Sequence, residues 1–369
     1  MKHELAWVQI SLSALKNNCA VIRSRLREGT KLGVVIKGNA YGHGAVRLLK
    51  EMEKWGTADM AIAGTLGEGR EIRKAGISLP VLLLNRIPAY AVDEDALEMF
   101  IFSAYDKRFL KEINAAASKH NKMVSVHLRV DLNQGGMGIL PEKFQEVWEL
   151  GKKLSNVKIL GIYAHPYSVY ENETQLQKDM ERFQNIVETL PQAERKRVLV
   201  HIANSKILFQ YPQYHYDMVR AGVCLYGLPY SENMDVRIRQ VFSLWGRVVS
   251  TERLKEGSRI CYKEFSNTVA VKLAHIALGY WDAPFLLTGK KASCIINGNE
   301  YPLFGEPCME TCCVDITGNA QIKEGDAACF MGEWPGVDAF SVMERADLDI
   351  AHCERLCITS NRIKKIYTE

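Results

Sequence analysis

Hydrophobic and polar positions alternate in two different rhythms along this chain. Trp7-Val8-Gln9-Ile10-Ser11-Leu12 switches apolar and polar like a half-buried strand. From Ser13, a helix-capping residue type, the apolar positions recur at helical spacing through Ala14 to Arg27. Val34-Val35-Ile36 is apolar without alternation, the pattern of a strand buried on both faces. The spacing then predicts a helix from about Gly44 to Trp55, a short strand over Met60–Ala63, and a helix over Leu66–Ala75 stopped by Gly76. A strand over Pro80–Leu84 follows. Further strands are predicted over Met99–Phe102, Val124–Val130, Val157–Ala164, Arg197–Ile202 and Met218–Val219. Helices are predicted between them over Lys107–His120, Glu142–Leu154, Glu173–Leu190 and Lys206–Phe209. About eight β–α steps in roughly 220 residues fit a parallel (β/α)8 barrel. A doubly wound sheet has nearly the same periodicity, and the pattern alone leaves both open.

After about Tyr230 the rhythm changes. Val241–Val249, Thr268–Leu278, Lys291–Ile296, Thr311–Val314 and Ala327–Met331 read as short strands cut by Gly and Pro turns, with few helical stretches. The expected organisation is a barrel over residues 11–232, followed by a mostly-β domain over 233–369 joined by the N-terminal strand, 1–10. A chain of 369 residues has room for both cores.

Composition narrows the function classes. Hydrophobic content of 47% and charged content of 24% are ordinary for a globular protein, and the net charge is only +4. No Lys/Arg-rich block points to nucleic acid or a membrane surface, and neither is expected as a partner. The first residues lack a signal-peptide core, and no apolar run approaches the roughly 18 residues of a membrane span. The ten cysteines form no paired CxxC motif, so no zinc or other metal site is expected. Reduced thiols and a cytoplasmic location are the default.

The candidate chemistry begins where the buried Val34-Val35-Ile36 strand meets Lys37 and breaks into Gly38-Asn39-Ala40-Tyr41-Gly42-His43-Gly44. Most lysines at strand ends are simply solvated. At the C-terminal end of a barrel strand, however, a partly desolvated amine can form a Schiff base with an aldehyde such as pyridoxal phosphate. Two later strand ends carry anion-binding candidates. Arg220-Ala221-Gly222-Val223 would offer backbone N–H groups, and Asn204-Ser205 would cap a helix or donate to an anion.

The eleven residues from Val34 to Gly44 resemble the cofactor-lysine signature of bacterial alanine racemases, a fold-type III family of pyridoxal-phosphate enzymes. His201-Ile202-Ala203-Asn204-Ser205 and Met218–Gly227 match family segments in order and spacing. So do Thr65–Gly69 with Arg73–Ile77, and Gly279-Tyr280-Trp281-Asp282. The resemblance implies pyridoxal 5'-phosphate on Lys37, with its phosphate held by Tyr41, Ser205, Gly222 and Val223, and with Asn204 alongside. It implies Arg220 against the pyridine nitrogen and His165 beside the ring. An arginine keeps its proton, which leaves that nitrogen unprotonated and favours proton return over side reactions. Racemisation needs a base on each face of Cα. Lys37 is one, and Tyr262 falls where the family has its second. Tyr280, Met309 and Glu310 match the substrate entrance. The family's tyrosine reaches into the other subunit, which implies a homodimer with shared active sites.

Three positions depart from the pattern. The family commonly has a lysine and an arginine where this chain has Arg129 and Gly136. A guanidinium cannot be carbamylated as that lysine often is, so Arg129 itself is expected to supply the positive charge that meets the substrate carboxylate. Glu310 replaces a shorter aspartate. Asn361 stands where alanine racemases usually place a tyrosine near phosphate and substrate, and the serine racemases of vancomycin resistance are similar in having asparagine there. Alanine and serine are therefore both candidate substrates. A decarboxylase of the same two-domain fold and a cofactor-binding homologue without turnover are the rival readings.

Overall fold

The computed structural model describes residues 3–132, 135–255, 257–260, 263–264, 270–287, 292–319 and 321–369. The chain forms two units, one of residues 20–40 and 45–222, the other of residues 1–19, 41–44 and 223–369.

The first unit is built on a parallel sheet of eight strands. They are β2 (Lys31–Val35), β3 (Met60–Ala63), β4 (Val81–Leu83), β5 (Ile101–Ala104), β6 (Val124–Arg129), β7 (Val157–Tyr163), β8 (Leu199–His201) and β9 (Met218–Ala221), where β1 is the N-terminal strand Ala6–Ser11. The order runs β8-β7-β6-β5-β4-β3-β2-β9. Asp217 N donates to Val200 O at 3.0 Å and Arg220 N to Ala203 O at 2.9 Å, so the two ends of the sheet meet and nearly close a barrel. Val34 lies between Ala61 and Ala221 in register and is fully buried, as its unbroken apolar run requires.

Helices alternate with these strands, and several of them start on a side-chain cap. Thr65 and Glu68 form a reciprocal capping box on Leu66–Lys74, Asp106 caps Lys107–Lys119, and Asn172 caps Glu173–Glu188. The doubly wound alternative is thus excluded. One predicted strand shifts: Ala96–Met99 is helical, started by the Asp93 carboxylate accepting from Ala96 N, and β5 begins at Ile101.

The second unit centres on the long strand β10 (Phe242–Leu254). It pairs antiparallel with β1, which in turn pairs parallel with the C-terminal strand Lys364–Thr368. The remaining strands are antiparallel. The sequence pattern missed the helix Ala339–Arg345, whose N-terminus is fixed by Asp338 accepting from Phe340 N and Ser341 N.

Candidate active site

In the barrel unit, β2 delivers Lys37 into a turn of unusual hand. Gly38, Asn39 and Ala40 have φ of 61°, 54° and 56°, and Tyr41 follows at 50°. Left-handed backbone costs a residue with a Cβ roughly 1–2 kcal/mol, so the turn needs external support. Glu68 provides it. One carboxylate oxygen accepts from Gly38 N at 2.6 Å and Asn39 N at 3.3 Å; the other accepts from Gly64 N at 2.8 Å and Thr65 N at 3.1 Å. Ala40 N donates to Ile36 O at 2.7 Å, and Asn39 Oδ1 accepts from Ala45 N at 2.8 Å. Lys37 itself is exposed. That corrects the expectation of a partly desolvated amine: the turn reverses the chain immediately after β2 and leaves the side chain outside the packed strand interior.

Arg220 occupies the opposite environment. It is the penultimate residue of β9 and is only 4% exposed. One terminal nitrogen donates to His201 Nδ1 at 2.9 Å; the other donates to Ala164 O at 2.8 Å and Ile202 O at 3.2 Å and lies 3.4 Å from His165 Nδ1. Burial without a carboxylate partner lowers its pKa to about 10, still fully protonated at neutral pH. The Tyr163 ring lies under both Arg220 and Arg129, 5.5 Å and 5.9 Å from the two guanidinium carbons.

Arg129, the last residue of β6, donates to Tyr105 Oη at 3.3 Å and lies 5.4 Å from that ring. His165 is held neutral, its pKa lowered to about 3 by burial first and then by the charges of Arg220, Arg129 and Lys37. Of these cations Arg220 lies within hydrogen-bonding distance of the imidazole, 3.4 Å from Nδ1. Gly136 has φ of 90° and donates its N–H to Asp131 Oδ2 at 2.8 Å. An arginine would be strained there, so the change from the family residue is matched by the backbone.

Asn204 and Ser205 follow β8. Asn204 Oδ1 caps Ile207 N at 3.1 Å, and Ser205 Oγ accepts from Gly222 N at 3.2 Å. Asn204 Nδ2 is buried and has no hydrogen-bond partner among the described residues. An orphaned buried donor is costly. Acceptor oxygens of a phosphate satisfy such a donor, and the nearby Ser205 hydroxyl adds a second polar group. The donor set of the barrel unit thus fits an anionic cofactor with a phosphate and a ring that needs an arginine.

The second unit holds the other candidates. Tyr41 packs edge-on to Tyr226 at 5.4 Å, and Val223 opens the short turn to Tyr226. Gly42 has φ of 81°, and a Cβ there would lie 2.3 Å from Cys357 O, so the motif glycine is fixed by a backbone approach as well as by conformation. Tyr280 N and Trp281 N donate to Cys308 O and Met309 O, both at 3.0 Å, which sets Tyr280 beside the Met309–Glu310 segment. Asp282, fully buried, accepts from Arg362 Nε at 2.7 Å, from its terminal nitrogen at 2.8 Å and from Ser360 Oγ at 3.0 Å. Arg362 also pairs with Glu310, and the two carboxylates hold its pKa above the usual arginine value. Met309, Glu310 and Asn361 are exposed. Tyr262 lies outside the described residues. Asp282 and Arg362 were quoted or passed over in the motifs without a role; Glu68 was legible only as the fourth position of a Thr-x-x-Glu capping box.

Among the described residues no helix is long and apolar enough to cross a membrane. Comparison with known proteins adds the family. Residues 10–229 match the family model for the alanine racemase N-terminal domain, and residues 241–367 the model for the alanine racemase C-terminal domain. The chain is 30% identical to alanine racemase 1 of Clostridium acetobutylicum, covering 98% of this chain and 95% of that one. It is also 30% identical to the alanine racemase of Desulfovibrio desulfuricans, covering 98% of both chains. The solved structure of alanine racemase from Clostridium difficile 630 superposes with a TM-score of 0.90 at 28% identity, covering 99% of this chain and 96% of that one. The chain belongs to the alanine racemase family and is an isomerase of the amino-acid racemase class, whose cofactor is pyridoxal 5'-phosphate.

Proposed function

We propose that the chain interconverts the L- and D-forms of a small amino acid, alanine or serine, by moving the Cα proton between two bases. Bound pyridoxal phosphate supplies the electron sink that makes this proton removable. Lys37 Nζ takes or returns the proton on one face, and the Tyr262 phenol does so on the other. Arg220 would hold the ring nitrogen as a donor that keeps its proton, and His165 would lie beside the ring. Asn204, Ser205 and Gly222 of the barrel unit would hold the phosphate end, and the family resemblance adds Val223, Tyr41 and Asn361. Arg129 meets the substrate carboxylate, and Tyr280, Met309 and Glu310 frame the entrance.

The observation that supports the reading best is the pair of guanidinium groups, Arg129 and Arg220, over the Tyr163 ring at the strand ends, with the buried, unsatisfied Asn204 Nδ2 in the same unit. Two such cations suit an anionic cofactor and a substrate carboxylate together. Asn361, smaller than tyrosine and polar, favours a hydroxyl-bearing substrate alongside alanine. The same reading makes the protein a cytoplasmic homodimer in which each Tyr262 serves the partner's site, a state that light scattering on the purified protein reports.

The test is racemisation of L-alanine and L-serine by protein loaded with pyridoxal phosphate, followed by chiral chromatography beside Lys37→Ala. Conversion of both, lost in the variant, is expected. Faster conversion of serine supports the role given to Asn361, and faster conversion of alanine contradicts it. No racemisation of either by loaded protein overturns the reading in favour of a decarboxylase or a binding protein.

A further inference from the structure

Behind Arg220 runs a line of buried polar groups that the reaction as described does not use. His201 Nε2 lies 3.0 Å from His127 Nδ1, and both imidazoles have no exposed surface. A guanidinium only donates. His201 Nδ1 must therefore accept from Arg220, which puts the single proton of neutral His201 on Nε2. That proton can only be donated to His127 Nδ1, and His127 in turn must carry its own proton on Nε2. Both rings are held neutral, since burial and the Arg220 charge lower their pKa values, that of His127 to about 3. The direction of every hydrogen bond is thus dictated from Arg220 outward.

The backbone is shaped to admit this second ring. Between Val126 and His127 the register of β6 against β7 shifts, so that His127 faces Gly161 instead of Leu160. A Cβ on Gly161 would stand 2.7 Å from three atoms of the imidazole. His127 Nε2 has no partner among the described residues, a penalty that an apolar side chain of similar size would avoid. Tyr163 stacks on His201 at 4.9 Å with rings 2° from parallel, and its own hydroxyl is engaged by Ser103 at 2.8 Å. His201 consequently cannot satisfy Nε2 by tilting away.

We propose that His127, seated over Gly161, is a positioning residue that locks the tautomer of His201 and through it the orientation of the Arg220 guanidinium. Without an acceptor at His127, the His201 proton has no reason to stay on Nε2. Once on Nδ1 it opposes the Arg220 donor directly, and the guanidinium loses the contact that sets its plane. For its consequence in catalysis this rests on the reading of Arg220 as the partner of the cofactor ring nitrogen; the tautomer relay itself does not.

The experiment follows the ring nitrogens of His201 by NMR in the full-length protein, with and without pyridoxal phosphate. Alongside it, the keto acid released per amino acid racemised is measured for the loaded protein. Wild type is expected to show Nδ1 bare and Nε2 protonated. His127→Leu and Gly161→Ala are expected to lose that tautomer and to raise the keto-acid ratio about tenfold, the effect of one misplaced charge-assisted contact. His127→Asn, whose Oδ1 can stand in for Nδ1 as acceptor, is expected to restore both. A folded His127→Leu with the wild-type tautomer and ratio overturns the proposal. So does a proton on Nδ1 of His201 in wild type, whether or not the variants fold. An intact tautomer in a protein that racemises nothing overturns the proposed function and leaves the relay standing.

Discussion

Arg220 and Arg362 are held in contrary ways. Arg220 is buried in the barrel unit, bonded to carbonyl oxygens and neutral imidazoles, with no carboxylate among its partners in the described residues. Arg362 is exposed in the second unit and gripped by Asp282 and Glu310. Burial lowers the pKa of the first, and ion pairing raises that of the second. An arginine whose charge is unmatched by protein acids presents a positive field to whatever enters the site. An arginine already neutralised by two carboxylates is a brace. The difference separates a group that acts on a ligand from one that holds a loop in place.

The comparison is broken most directly by removing each charge. Arg220→Met is expected to lower racemisation by about 10²–10³-fold, the usual loss when a preorganised donor in a buried site is removed. Arg362→Met is expected to cost about tenfold or less in rate and about 1–3 kcal/mol in stability, because Asp282 keeps the Ser360 hydroxyl and the Gly279 N–H at 3.2 Å but loses its charge partner. Steady-state rates and urea midpoints of the two variants decide it. Equal rate losses would erase the distinction.

The Lys37 turn comes next in size. Glu68→Ala removes an acceptor shared by four backbone N–H groups, and a loss of about 2 kcal/mol in unfolding free energy is expected, with weaker retention of pyridoxal phosphate on dialysis. Unchanged retention would mean the left-handed turn holds itself.

The buried imidazoles predict the pH response. His127 stays neutral in the folded protein down to about pH 3, whereas in the unfolded chain it takes up a proton below about 6.5. The unfolded state therefore binds more protons across that window. The contribution of His127 is complete above about pH 6.5 and is lost as the pH falls towards 3, amounting to about 2 kcal/mol at pH 5. His201 acts in the same direction. Denaturant midpoints are expected to fall between pH 7 and pH 5, and less steeply in His127→Asn.

Much of this was legible in the sequence, for reasons that differ by residue. The barrel strands were visible because a strand buried on both faces must be apolar without alternation, as in Val34-Val35-Ile36 and Met60–Ala63. Lys37, Ser205, Arg220 and Gly222 stood out because their segments resemble those of the alanine racemase family, and the roles given to them belong to the proposal. What stayed hidden depends on pairing across the fold. Nothing in the sequence places Asp282 against Arg362, 80 residues apart, or His127 against His201. The handedness of residues 38–41 was equally hidden, since it is supported by Glu68 on Gly38 N and Asn39 N and by Ile36 O on Ala40 N, pairings no local pattern reports. The exposure of Lys37 follows from that same turn, which no periodicity reports.

The central claim is that this supported turn presents Lys37 as the cofactor lysine. Borohydride reduction of the protein loaded with pyridoxal phosphate, followed by proteolysis and mass spectrometry, tests it without relying on turnover. A single pyridoxyl label on Lys37 is the predicted result. A label on another lysine, or one spread over the surface lysines with Lys37 unmodified, would contradict it.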